Sequence, residues 1–219
     1  MKIRTMTAAS LATMLAATPL LAAEATVATD LNLRAGPGPN YVIEGVLPTE
    51  AMVEVNGCVE SGSWCEVTYD GMTGYAYAPY LVVTENESMV ALPEATTTTV
   101  ETVTYDESDN GEEAFIGGAA GAGIAAAAIG GPAAIAGGIL LGSAAGSIAG
   151  TEVEETTVTY VTQNPVDPIF VEGEVVTGAT IPAEVTLVPV PETEFSYAYL
   201  NGQPVIVQTP DRAIVRVVR

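Results

Sequence analysis

Apolar and polar residues alternate in two separate parts of the chain, and between them the alternation stops. In the first part, short runs alternate with period two at Leu31–Arg34, Ile43–Leu47, Met52–Asn56, Trp64–Tyr69 and Gly74–Tyr77. That period puts successive side chains on opposite faces of a strand. The breaks are turn formers: Gly36-Pro37-Gly38-Pro39, Pro48-Thr49-Glu50, Ser61-Gly62 and Asp70-Gly71. Five short strands so punctuated predict a small, partly open barrel over residues 26–83. The second part, 156–219, holds strand-like runs at Phe170–Val176, Glu184–Val188, Phe195–Leu200, Val205–Val207 and Ile214–Val218. Asn201-Gly202 is a strong two-residue hairpin signal. With a further turn at Thr209–Arg212 it predicts a closing three-stranded meander.

Between the two parts lies Ile116–Gly150, which carries no charge and consists almost entirely of Gly, Ala, Ile and Leu. Gly138, Gly142, Gly146 and Gly150 fall four apart, as do Gly117, Gly121 and Ala125. On a helix each set shares one face and lets another backbone approach closely. Gly130-Gly131-Pro132 supplies a helix stop and a new first turn. The pattern predicts a helical Ala/Gly hairpin over 114–150. Its halves would span about 21 and about 27 Å, short of the roughly 30 Å of a bilayer core. Three readings stay open: a membrane-associated hairpin, a self-association zipper in a homo-oligomer, and a flexible linker. The stretch resembles the glycine-zipper segments of bacterial envelope proteins.

Residues 84–113, rich in Thr, Glu and Asp, read as a linker without enough apolar surface to order itself. One detail resists that reading. Val100–Tyr105 resembles Glu155–Tyr160 on the far side of the Ala/Gly stretch, and the two β-prone runs are candidates to pair antiparallel.

Met1–Ala23 reads as a secretory signal peptide: Lys2 and Arg4, an apolar run from Ala8 to Leu21, then a small-residue zone at Ala22-Ala23-Glu24-Ala25. Cleavage after Ala23 or after Ala25 fits, and with no Cys at the junction a lipoprotein anchor is not expected. Export places the mature chain in the periplasm or cell envelope. The whole sequence has 27 acidic and six basic residues and a formal charge of −21. Without Lys2 and Arg4 the mature chain keeps four basic groups and about −23. Such a chain lacks the clustered Lys and Arg that nucleic acid or anionic lipid demands.

Leu31-Asn32-Leu33-Arg34-Ala35-Gly36-Pro37, Val53-Glu54-Val55, Trp64-Cys65-Glu66-Val67, Gly74-Tyr75 and Pro79-Tyr80-Leu81 follow one another in an order and spacing that resemble a bacterial SH3 domain. The resemblance implies a small β barrel that binds a cell-wall component or a peptide. Within it, Cys58 and Cys65 flank the Ser61-Gly62 turn, so a hairpin sets them opposite each other. In an exported protein this pair is expected to be a disulfide. The aromatic residues Tyr41, Trp64, Tyr75, Tyr77 and Tyr80 exceed what so small a barrel buries. They are candidates for a shallow ligand platform, with core or rim packing as the alternative for Trp64 and Tyr80. Arg34, the only basic residue between the leader and Arg212, is a candidate to meet a ligand carboxylate. The alternative favoured for it is pairing with a neighbouring acid such as Glu66.

Asn164–Pro168, Gly173–Val176, Tyr199–Val205 and Ile214–Val217 resemble an uncharacterised C-terminal domain of exported bacterial proteins, which implies no activity. With no His, the chain lacks imidazole acid–base, nucleophile and metal chemistry. It has no phosphate-binding glycine loop, and no metal or cofactor is expected. The expected whole is a mainly β, non-enzymatic envelope protein: an SH3-like barrel, a central helical hairpin that anchors or oligomerises it, and a C-terminal meander. The competing expectation is a scaffold in which zipper self-association is the function and the barrel is a spacer.

Overall fold

The computed structural model describes residues 22–105, 124–128 and 151–219. Eight antiparallel strands form the N-terminal sheet: β1 (Ala23–Val27), β2 (Leu31–Arg34), β3 (Ile43–Leu47), β4 (Met52–Cys58), β5 (Trp64–Tyr69), β6 (Met72–Tyr77), β7 (Leu81–Glu85) and β8 (Ser88–Ala91). Their order across the sheet is β3-β2-β6-β5-β4-β1-β7-β8. Alternation decides which face turns inward. In β4, Val53 and Val55 are buried while Met52 and Glu54 are exposed; in β5, Cys65 and Val67 enter the core. The five strands expected from periodicity are all present, two of them longer than expected.

After the Ala/Gly stretch come α1 (Glu155–Gln163), β10 (Phe170–Glu172), β11 (Val188–Pro189), β12 (Phe195–Leu200), β13 (Gln203–Gln208) and β14 (Ala213–Val217). Strands β11 to β14 form an antiparallel sheet in sequence order. The expected hairpin turns at Asn201 (φ 49°) and Gly202 (φ 84°), both left-handed, as a two-residue turn of matching twist requires.

This C-terminal sheet is a middle layer. Ala198, Leu200, Val205 and Val207 join the same core as Leu31, Leu33, Val67 and Leu81 of the N-terminal sheet. Tyr197 and Ile206 face the other way and pack with Val161 of α1. The two β-rich parts therefore share one apolar core.

Four expectations change. The described part of the 84–113 segment, 84–105, is structured: β7 and β8 form a hairpin through Asn86 and Glu87, both at positive φ. Glu155–Tyr160 does not pair with Val100–Tyr105 but lies in α1. Thr157 and Val161, one turn apart, are its buried residues. The Thr159 and Thr162 hydroxyls donate back to the carbonyls of Glu155 and Val158 at 2.8 and 2.9 Å, which satisfies them within the helix, while the buried Thr157 and Val161 dock it on the sheet. The strand expected at 170–176 stops at Glu172, because Gly173 takes φ 90° and turns Glu174 inward. The one expected over 184–188 is reduced to the short β11.

The helical hairpin is corrected where the structure describes it. Ile124–Ala128 is a strand, β9, running parallel to β10 with Ile124 opposite Phe170 and Ala128 opposite Glu172. The edge of β10 offers unpaired backbone groups, and filling them outweighs the helix preference of alanine. Gly117, Gly121, Gly138, Gly142, Gly146 and Gly150 lie outside the described residues, as does the stretch read as a signal peptide, through Leu21. Among the described residues no helix is long and apolar enough to cross a membrane.

Candidate functional site

Arg34 ends β2 with its side chain fully buried. All five of its N–H groups find acceptors. Nε donates to Glu174 Oε2, and Nη2 to Glu174 Oε1 at 2.8 Å and to the Asn201 carbonyl at 3.3 Å. Nη1 donates to the carbonyls of Tyr41 at 2.7 Å and Pro39 at 3.0 Å. Glu174, equally buried, also accepts from Asn32 Nδ2 at 3.0 Å and from its neighbour's amide, Val175 N, at 2.8 Å. Asn32 Nδ2 donates to Gln203 Oε1 as well, at 2.7 Å. Asn201 uses its side chain to hold the Gly173 turn, accepting from Val171 N and donating to the Gly173 carbonyl. Arg34 is thus taken by an acid 140 residues away in sequence. Its five N–H groups are all taken in this way, and Glu66 is not among its partners. Glu66 instead accepts from Asn56 Nδ2 at 3.0 Å and lies 3.5 Å from the Tyr75 hydroxyl.

The aromatic candidates separate into two groups. Trp64 lies opposite Tyr77 in the β5–β6 register, their rings 5.4 Å apart, and Tyr77 is 5.9 Å from Tyr80. Trp64 and Tyr80 are 6% and 3% exposed, packed around Tyr77; Tyr41 and Tyr75 are as buried, at 6% each, with the Tyr105 ring against both. Tyr77 reaches the C-terminal part: a Cβ at Gly173 would lie 3.4 Å from its ring. Burial, together with Glu172, raises the Tyr77 pKa; burial, with Tyr77 and Glu174 nearby, raises that of Tyr80.

The second group is Tyr41 and Tyr75. The Tyr41 ring folds over Gly36, where a Cβ would come within 2.4 Å of it. Between Tyr41 and Tyr75 stands Tyr105, edge-on to both, at 5.3 Å and 81° from the first and 5.4 Å and 88° from the second. Burial, and then the charge of Glu66, push the Tyr75 hydroxyl up to about 12.

Tyr105 arrives on a strap. β1 pairs with β4 only from Met52 to Val55, which leaves the edge at Gly57 and Cys58 open. Glu101–Val103 takes that edge: Cys58 N donates to the Glu101 carbonyl at 2.8 Å and Val103 N to the Cys58 carbonyl at 2.9 Å. Val103 lies over Gly57, where a Cβ would fall 2.4 Å from its Cγ1. Val103 and Tyr105 are half-buried, while Glu101, Thr102 and Thr104 are exposed. The Cys58–Cys65 disulfide pins this end of β4 to β5. Upstream, Glu85 holds the strap's root. It accepts from the amides of Thr96, Thr97 and Thr98 and from the Thr96 and Thr97 hydroxyls, at 2.6 to 3.1 Å. The Thr97 hydroxyl and then the Thr96 amide lead in lowering the Glu85 pKa to about 2.

Residues 29–82 match the family model of the bacterial SH3 domain. This segment is similar to a bacterial SH3 domain. Residues 160–219 match a domain of unknown function, DUF1236, and no curated protein matches the chain. An SH3 match points to a ligand-binding role, and together with the disulfide it points to an exported protein. Asn32 and Arg34 of the SH3 domain and Glu174, Asn201 and Gln203 of the DUF1236 domain form one buried network. Sequence reasoning missed Glu174, Gln203, Val103 and Tyr105 in these roles. A signal existed for the last two, since Val103 and Tyr105 fall two apart as a one-faced strand requires. None pointed to Glu174. Among the described residues no three His, Cys, Asp or Glu form a group able to hold a metal.

Proposed function

We propose that this is an exported, non-enzymatic envelope protein whose SH3 domain binds an extended peptide or peptide-bearing cell-wall ligand on the face of Tyr41, Tyr75 and the Gly57–Cys58 edge. One observation carries the reading: that face already holds a short strand by its backbone and a tyrosine ring by two edge-on contacts. Backbone pairing at an open edge with pockets for alternate side chains is a recurrent way of gripping extended peptides. Tyr77 and Tyr80 serve the junction with the DUF1236 domain, Trp64 backs Tyr77, and Arg34 serves the same junction from within. The Ala/Gly stretch anchors the protein to a membrane or joins copies of it.

Co-sedimentation of the mature chain with purified cell-wall sacculi, at low and moderate salt, tests the wall-binding form of this reading. Saturable binding, weakened by Tyr75→Ala in a chain that stays folded, supports it. An absence of binding at both salts removes the wall as ligand. The whole mature chain is the right material, because the isolated SH3 domain would expose Arg34 and half of a shared core.

A further inference from the structure

The strap and the face beneath it show what kind of peptide the site takes. Three features act together. The Gly57–Cys58 edge reads backbone through two hydrogen bonds. The missing side chain at Gly57 leaves room for a β-branched residue, filled by Val103. The Tyr41–Tyr75 slot takes an aromatic ring two residues further on, filled by Tyr105. Thr102 and Thr104 point to solvent and are not read.

Charge supplies the rest. Glu24 stands opposite Glu54 between β1 and β4, and Glu66 opposite Tyr75 between β5 and β6. Asn56 bridges Glu66 and Thr68, while Thr68 faces Glu54 across the β4–β5 pair. These acids therefore share the outer face with Tyr75. The four arginines of the described chain are engaged elsewhere: Arg34 with Glu174, Arg212 with backbone carbonyls, Arg216 with Glu155 and Arg219 with Asp30. The strap adds Glu101 and leads into Asp106 and Glu107. An acidic strap on an acidic face is held by its tether, which keeps its local concentration high.

We propose that the outer face is a site for extended cationic peptides with a β-branched residue followed two positions later by an aromatic one, and that Glu101–Tyr105 occupies it in cis as a displaceable stand-in. The proposal rests on the reading of the SH3 domain as a peptide-binding module, and specifies partner and regulation. A ligand with the same Val-x-Tyr spacing but Lys or Arg flanks gains the attraction that the strap lacks and displaces it.

The test uses two synthetic hexapeptides, Lys-Thr-Val-Thr-Tyr-Lys and Glu-Thr-Val-Thr-Tyr-Glu, titrated into the mature wild-type chain and into Tyr105→Ala. An unchanged disulfide mass and an unchanged thermal transition show that the variant is folded. Emptying the slot removes the tethered competitor, so Tyr105→Ala should bind the lysine-flanked peptide on the order of tenfold tighter than wild type. That binding should weaken with salt. The glutamate-flanked peptide should bind more weakly than the lysine-flanked one. Changing the peptide's Val to Lys, which leaves the protein untouched, should abolish binding. Equal affinity of wild type and variant overturns the stand-in role. Equal affinity of the two peptides overturns the cationic preference. If sacculi bind while neither peptide does, this inference fails and the wall-binding reading stands; peptide binding without sacculus binding has the opposite meaning.

Discussion

A buried guanidinium is tolerated when each N–H finds an acceptor and a carboxylate balances the charge. Arg34 meets both conditions, and Glu174 does the balancing. Removing one partner strands the other. Arg34→Met or Glu174→Gln should each cost about 3–5 kcal/mol, measured by urea unfolding, and the double replacement by Met should recover much of that loss. The lone arginine of an acidic domain was visible in the sequence as unusual. Its partner was not, because nothing local marks one of 27 acids as the buried one. The same limit applied to Glu85. Its carboxyl is lowered from an ordinary 4.5 to about 2, so its contribution is complete above about 4.5 and is lost as pH falls through about 2. Exchange protection of the Thr96–Thr98 amides should follow that window, and Glu85→Gln should remove the protection at neutral pH. Protection unchanged in Glu85→Gln would mean that the latch is not what orders the strap.

At the scale of elements, period-two alternation identified β2 to β6 and the closing meander, and it is cleanest in β4, where Val53 and Val55 are buried and Met52 and Glu54 exposed. It failed where local pattern was overruled. Thr102–Tyr105 and Thr157–Tyr160 are the same tetrapeptide, Thr-Val-Thr-Tyr. The first is extended against an open strand edge and the second is helical against a sheet, so partner surfaces rather than propensity decide between the two conformations. β1 adds a constraint on processing. Glu24 and Ala25 pair with Glu54 and Val53, and cleavage after Ala25 would remove both pairs. The mature N-terminus found by mass spectrometry should therefore be Glu24. The disulfide closes a separation of only seven residues, worth about 2–3 kcal/mol on the loop-entropy account. Replacing both Cys58 and Cys65 with Ser should cost about that much. It should also loosen the strap, seen as faster exchange at the amide of Val103.

At the scale of the whole molecule, the two matched domains behave as one body. Their facing sheets share a core, and their matched residues meet in the Arg34–Glu174 network. The sequence showed two β-rich parts and suggested two separate domains, because the contacts that join them span more than a hundred residues. The proposed binding face, carried on such a body, is fixed relative to the DUF1236 domain. The measurement that bears most directly on this is urea unfolding of the mature chain followed by two probes. Trp64 fluorescence reports the SH3 domain, and hydrogen exchange at the amides of β12 to β14 reports the DUF1236 domain. The account predicts a single midpoint for both probes in wild type and a parallel fall of both in Glu174→Gln. Two separated midpoints, or a Glu174→Gln effect confined to one probe, would contradict it.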